Sequence, residues 1–157
     1  MVTGGGPGPT DYYLAFDYLE LVLASHLEAE NLSADSTTRL KRVVDPDLSG
    51  GAGVLLKAEA PGNSVTYTVT IPSTGTYDVR AGIRKGNRNG IVQLLIDGVN
   101  HGPPQDNYSA EVDYQVVDLG RVTFAETGEK ALQFLVTGQN PNSKGYQFLL
   151  DYIDLVR

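Results

Sequence analysis

Val65, Tyr67, Val69 and Ile71 alternate with Thr66, Thr68 and Thr70. A period of two sends apolar side chains to one face and polar ones to the other, so Ser64–Ile71 is predicted to be a half-buried strand. Pro72-Ser73-Thr74-Gly75 reads as a turn. After it Tyr77, Val79, Ala81 and Ile83 share one face of residues 76–84, with Asp78, Arg80 and Arg84 on the other. These two strands are expected to form a hairpin. Residues 90–96 make the next strand, ending at Asp97-Gly98, a strong hairpin-turn signal. Residues 102–110 read as loop, because Pro103-Pro104 opposes regular structure.

Further strands are expected over 113–119, 121–125 and 130–137, with Glu126-Thr127-Gly128 as a turn. Residues 138–144 form a polar loop before a closing strand over 146–156. At the front, 25–32 is read as a strand, followed by a poorly patterned stretch and then a strand over 53–58. Short strands with frequent turn signals and no convincing amphipathic helix predict an all-β fold, an antiparallel β-sandwich of jelly-roll type.

The chain has 157 residues, 41% hydrophobic and 20% charged, which suits one packed domain. Its net charge of −7 repels nucleic-acid phosphates and anionic membrane surfaces, so neither is an expected partner. No apolar run approaches the ~20 residues that span a bilayer. The absence of cysteine excludes disulfides and thiolate chemistry.

The closing strand is written twice. Val2-Thr3-Gly4 matches Val136-Thr137-Gly138, a shift of 134, and at that shift Pro7, Tyr12, Asp17-Tyr18 and Leu21-Val22 match Pro141, Tyr146, Asp151-Tyr152 and Leu155-Val156. Residues 1–24 are therefore expected to be the last strand of a preceding repeat plus a linker, and 25–157 a complete module of a tandem array. A strand over 12–22 without its own domain exposes unpaired backbone groups, which predicts pairing with a sheet edge or a strand-swapped homodimer.

Two constellations could carry chemistry. Glu28 and Glu30 lie two apart in an expected strand, so both carboxylates would leave one face about 7 Å apart. Asp151 shares a face by alternation with Leu149, Ile153 and Leu155, where a carboxylate needs a cation or strong hydrogen bonds. If the first and last strands are neighbours, the three acids meet. Hard oxygen ligands of this kind select Ca²⁺; hydrogen-bonded or solvated edge carboxylates are the alternative. The second constellation is 84–90, where Arg84, Lys85 and Arg88 stand with Asn87 and Asn89 in an acidic chain. Guanidinium forks suit carboxylates or sulfates and amides suit hydroxyls, which points to a glycan, including one bearing uronate. A solvated hairpin turn is the other reading.

Leu27-Glu28-Ala29-Glu30-Asn31, then Ser64–Ile71 with Gly75-Thr76-Tyr77-Asp78-Val79, then Leu95-Ile96-Asp97-Gly98, then Leu150-Asp151-Tyr152-Ile153-Asp154-Leu155 form an ordered set. The set resembles the non-catalytic carbohydrate-binding modules of families 6 and 35 and their galactose-binding-like relatives, over residues 25–157. The resemblance implies a jelly-roll with a structural calcium held by Glu28, Glu30 and Asp151. It also implies a polysaccharide or oligosaccharide site on loops at one end, and a secreted or surface protein of a glycan-degrading bacterium. On that reading Arg84, Lys85, Asn87 and Arg88 would contact sugar. Tyr108 would stack on it, joined by Asn107 and by Asn140 and Asn142 of the final loop. Many such modules clamp sugar with tryptophan, and this chain has none. Tyrosine stacks on the apolar C–H face of a sugar more weakly. Tyr146, whose counterpart is Tyr12, is expected to be core.

Catalysis is not expected. His26 and His101 accompany no nucleophile motif, Glu28 and Glu30 leave one strand in parallel rather than flanking a cleft, and Gly4-Gly5-Gly6 precedes a strand, not a phosphate-binding helix. A spacer or protein-interaction sandwich without a sugar site remains the competing reading.

Overall fold

The computed structural model describes residues 24–157. The first copy of the repeat, with the expected strand and strand exchange over 12–22, lies outside the described residues.

The strands are β1 (Ala24–Glu28), β2 (Ser33–Ser36), β3 (Leu40–Val44), β4 (Ala52–Leu56), β5 (Ser64–Ile71), β6 (Gly75–Lys85), β7 (Ile91–Ile96), β8 (Val99–Asp106), β9 (Asp113–Phe124), β10 (Gly128–Gly138) and β11 (Phe148–Val156). Short 3-10 turns occupy Ala29–Asn31 and Ser49–Gly51. One antiparallel sheet runs β9-β6-β11-β4-β3, with β1 also on β11, and the other runs β2-β5-β10-β7-β8. The all-β, two-sheet sandwich is as the sequence predicts. No helix among the described residues is long and apolar enough to cross a membrane.

Alternation builds the core. Val65, Tyr67, Val69 and Ile71 of β5 face Tyr77, Val79, Ala81 and Ile83 of β6 from opposite sheets, and all are buried. Phe134 of β10 stacks on Phe148 of β11 with ring centroids 5.1 Å apart, and Tyr67 meets Phe134 edge-on at 6.1 Å.

Several details differ from the sequence reading. β5 and β6 are not a hairpin: the chain changes sheets at Pro72-Gly75, and β5 pairs with β2 and β10 while β6 pairs with β9 and β11. The segment 84–90 is likewise a crossing between sheets rather than a hairpin turn. The expected Asp97-Gly98 hairpin is present, with φ of 48° and 83° at its two central residues. Pro103-Pro104 lie inside β8, because β8 is an edge strand and an edge tolerates missing N–H donors. Residues 113–124 form one strand with a register shift between Asp118 and Gly120, rather than two. β1 ends at Glu28. The poorly patterned stretch holds β2 and β3, and the closing strand begins at Phe148, leaving Tyr146 half-buried against the core.

β11 is the organising strand. Its first half, Phe148 to Leu150, pairs with β4, and from Tyr152 onward the same edge pairs with β1. On its other edge the register with β6 shifts between Leu150 and Tyr152. Asp151 therefore sits where both partners break.

Candidate functional site

The acid cluster follows from that break. The shift in β11 removes Asp151 from the alternation that buries Leu150, Ile153 and Leu155, so it does not share their face. Glu28 closes β1 and Glu30 sits in the following 3-10 turn, not in a strand. The sequence expectation that strand alternation aligns the two glutamates is thus replaced by a turn that folds Glu30 back. The loop between β3 and β4 lies over both: a Cβ at Gly50 would come within 3.0 Å of Glu28 Oε1 and 3.4 Å of Glu30 Oε1. Gly50 has φ of 60°, a left-handed conformation that suits glycine.

Ser49 ties the loop to the acids. Its N–H donates to Asp151 Oδ2 at 3.1 Å and its hydroxyl to Glu28 Oε1 at 2.7 Å. Three carboxylate oxygens are left buried with no partner among the described residues: Glu28 Oε2, Glu30 Oε2 and Asp151 Oδ1. Buried charge of this kind is costly unless compensated. Burial pushes the Asp151 carboxyl above the usual range; Glu28 and Glu30 push it further, against the Ser49 N–H that lowers it. Among the described residues no group of three or more histidine, cysteine, aspartate or glutamate side chains is placed to hold a metal ion. The three unpartnered oxygens are acceptors that a hard cation would satisfy.

His26 flanks the cluster. Its Nδ1–H donates to Asp154 Oδ1 at 2.6 Å, and Nε2 lies 3.1 Å from Ser49 Oγ. Burial lowers its pKa, but the Asp154 hydrogen bond and charge, with Glu28, outweigh that and hold the imidazole above its ordinary value. Asp154, His26 and Ser49 thus stand in the order of a hydrolytic triad. The surroundings oppose that chemistry. The Ser49 hydroxyl already donates to Glu28, its N–H is spent on Asp151, and carboxylates surround the place where an oxyanion would need donors. The set works as a latch on the β3–β4 loop.

The second site lies at one end of the sandwich, where the β6–β7, β8–β9 and β10–β11 connections meet. They are zipped by backbone bonds: Lys144 N–H to Asn87 O at 2.8 Å, Gln147 N–H to Arg88 O at 2.8 Å, Gly90 N–H to Gln147 O at 2.9 Å and Ser109 N–H to Gly86 O at 3.1 Å. Buried Asn89 donates from Nδ2 to Arg84 O at 2.9 Å, and its main-chain carbonyl accepts the Ser143 hydroxyl at 2.8 Å. The result is a cleft of about 400 Å³ lined by Arg84, Lys85, Gly86, Asn87, Arg88 and Asn89 on one side. Ala110, Glu111 and Val112 stand opposite, and Leu55, Gln147 and Leu149 complete the lining.

The structure thus brings Arg84, Lys85, Asn87 and Arg88 to one cleft. Arg84 is held from behind, with Nε 3.6 Å from Asp45 Oδ2, and Lys85 Nζ donates to Asp106 O at 3.1 Å. The other four predicted residues do not line the cleft. Asn107 is buried with Oδ1 unpartnered and faces the interior, out of reach of a glycan. Tyr108 is half-buried and bridged to Gly86 through its backbone. Asn140 spends its amide on Asp106 Oδ2 at 2.8 Å, and Asn142 is exposed, its N–H donating to Asn140 Oδ1. Sequence reasoning missed Glu111, Gln147 and Leu149 of the cleft, and Ser49 and Gly50 over the acids. The Ser49-Gly50-Gly51 run, a turn signal that the sequence reading passed over, is the one feature that could have pointed to the second pair.

No family model matches the chain. Over 79 residues it is 38% identical to mannan endo-1,4-beta-mannosidase B of Piromyces sp, covering 49% of this chain and 13% of that protein. It is 31% identical to the solved Paenibacillus xanthan lyase, with a TM-score of 0.78 over 83% of this chain and 13% of the lyase. It is also similar to a family 36 carbohydrate-binding module solved with calcium and xylotriose, at 23% identity and a TM-score of 0.58, over 83% of this chain and 98% of the module. The chain thus spans about an eighth of the two enzymes and nearly all of the free-standing module. The fold is that of carbohydrate-binding modules of the family 35 and 36 type.

Proposed function

We propose that residues 25–157 form a non-catalytic carbohydrate-binding module of a larger secreted glycan-degrading protein, holding a polysaccharide in the loop-end cleft. The observation that carries this reading is the cleft itself. Arg84, Lys85 and Arg88 converge with Asn87 and Glu111 in an otherwise acidic chain. Charged donors and acceptors on a floor fixed by backbone bonds suit sugar hydroxyls, and the three cations favour an acidic glycan. The two enzymes and the binding module that the chain resembles make mannan, xanthan and xylan the first polymers to test. In this reading the module raises the local concentration of its parent enzyme on the polymer, and tandem copies add avidity.

Glu28, Glu30 and Asp151 would hold one calcium ion. The ion would supply the positive charge that their buried oxygens lack and fasten the β3–β4 loop to β11. The repeat at the front of the sequence would make residues 1–24 part of a preceding module, and a segment over 12–22 without its own domain would exchange between copies. Light scattering on chains 1–157 and 25–157 tests this; monomers in both remove the exchange.

A second reading, a structural or protein-interaction sandwich, is favoured by one observation: among the described residues no aromatic ring lines the cleft. Affinity electrophoresis through gels containing mannan, xylan or xanthan separates the two. Retardation by one polymer, reduced in Arg88→Ala, supports the sugar site. Equal mobility in all gels, with no signal on a broad glycan array, removes it.

A further inference from the structure

Behind the cleft lies a second recess that the sequence reading did not anticipate. It has a volume of about 270 Å³, and its walls include Glu59, Arg88, Lys144, Tyr146 and Gln147. Arg88 and Gln147 also line the first cleft. The two depressions therefore adjoin along these two residues, the ridge between them.

That ridge is rigid. The Gln147 N–H to Arg88 O bond crosses it, and Lys144 N–H to Asn87 O pins its flank. Gly145 passes so close to the ridge that a Cβ there would lie 3.0 Å from Arg88 O. A Cβ at Gly90 would meet Tyr146 Cα at 3.1 Å, so the backbone carrying the tyrosine is seated directly on β7's approach. The far wall is equally fixed: Asn63 Oδ1 accepts the Glu59 N–H at 2.9 Å and the Ala60 N–H at 3.3 Å, and Gly62 N–H donates to Val136 O at 2.8 Å.

The chemistry of the recess repeats that of the cleft, with one addition. Arg88 and Lys144 are exposed and have no ion pair among the described residues, and Glu59 offers an acceptor. Charged groups held over a recess suit the paired hydroxyls of a sugar ring. Tyr146 adds the aromatic surface that the cleft lacks, half-buried against the core on one side and lining the recess on the other. The apolar C–H face of a sugar packs on such a surface.

We propose that cleft and recess are two seats of one binding path, taking successive sugars of a single glycan chain across the ridge of Arg88 and Gln147. Tyr146 stacks on the second sugar and Lys144 bonds its hydroxyls. The module then recognises a run of residues within a polymer rather than a lone terminal sugar. This inference rests on the sugar-binding reading of the cleft.

The test is calorimetric titration of residues 1–157 with size-graded manno-, xylo- and xanthan-derived oligosaccharides, from monosaccharide to hexasaccharide. Affinity should rise roughly three- to tenfold when a second seat fills, the increment of one stacked ring. Lys144→Ala, at an exposed position that the fold tolerates, and Tyr146→Ala should each flatten the rise while leaving the shortest binding ligand nearly unchanged. Arg88→Ala should weaken every length. Equal affinity at all lengths, or Lys144 and Tyr146 variants with wild-type profiles, would overturn the two-seat path while leaving the cleft intact. Binding by none of the oligosaccharides would overturn the cleft reading and this one together.

Discussion

Replacing Asp151 by asparagine should change stability in opposite directions with and without calcium. The side chain is 7% exposed, accepts the Ser49 N–H on one oxygen and leaves the other buried without a partner, beside two further orphaned carboxylate oxygens. An asparagine can keep the Ser49 bond through Oδ1 and turn Nδ2 toward the unpartnered oxygens of Glu28 and Glu30. A new hydrogen bond to a charged acceptor stabilises by about 1.5–3 kcal/mol, less whatever repacking the amide needs. In chelator Asp151→Asn should therefore be as stable as the parent or up to ~2 kcal/mol more so.

With calcium the order reverses. A ligand that binds only the folded state adds RT ln(1 + [L]/Kd), which is about 2.7 kcal/mol at a hundredfold excess over Kd. A domain of this size shifts by roughly 3–5 °C per kcal/mol, so the parent should gain roughly 8–13 °C and the variant, short of one anionic ligand, much less. Circular dichroism melts at fixed ionic strength, in excess calcium and in excess chelator, give all four midpoints. A parent midpoint that ignores calcium removes the metal. A variant that is less stable than the parent in chelator shows that the orphaned oxygens are satisfied by something other than a cation.

Three further substitutions probe the frame around the sites. Gly82→Ala places a Cβ 2.3 Å from Tyr152 Cε1, so the ring must leave the sheet and its packing on His26, at a cost of about 1–3 kcal/mol visible in urea unfolding. Gln93→Leu removes an amide that donates to the carbonyls of Leu94, His101 and Gly102; orphaning them should destabilise by about 1–3 kcal/mol and increase hydrogen exchange in β8. Tyr114→Phe concerns pH. The Tyr114 hydroxyl donates to Asp45 Oδ2 at 2.6 Å and, with the Asp47 N–H and Arg84, holds the Asp45 carboxyl below its usual 3.8, while Tyr114 itself is pushed up to about 12. A depressed acid stabilises above its unfolded pKa, and that contribution is lost as pH falls through the folded value. The Phe variant should melt lower at neutral pH and converge with the parent in strong acid. A constant gap at every pH would separate the effect from Asp45.

The strands were legible because alternation is a local property. Which strands pair is not: β5 and β6 carry equally good patterns and a short turn, yet they face each other across the core instead of sharing a sheet. Nothing in a period of two distinguishes these outcomes, since both bury the same faces. Pro103-Pro104 misled for a related reason. Proline excludes a residue from the middle of a sheet but not from an edge, and edge status is set by the whole topology.

The sites show the same division more sharply. The acids were found by residue type, although the geometry that joins them is not the one alternation supplies. Strict alternation would have set Asp151 on the core face with Ile153 and Leu155; the break in β11 turns it off that face, still buried, and a 3-10 turn rather than a strand delivers Glu30. What covers them, Ser49 and Gly50, comes from a stretch with no period at all, because its backbone is shaped by bonds to side chains far along the chain. Arg84, Lys85 and Arg88 were nominated by their density in an acidic protein; the first two end β6, and Arg88 lies in the connection that follows. Asn107 and Asn140 had the same polar character, but their positions are fixed by burial and by Asp106. A loop-end site is assembled from backbone bonds between segments more than fifty residues apart, as between Lys144 and Asn87. Local composition can therefore nominate residues for such a site, while only the crossing of the connections decides which of them face a ligand.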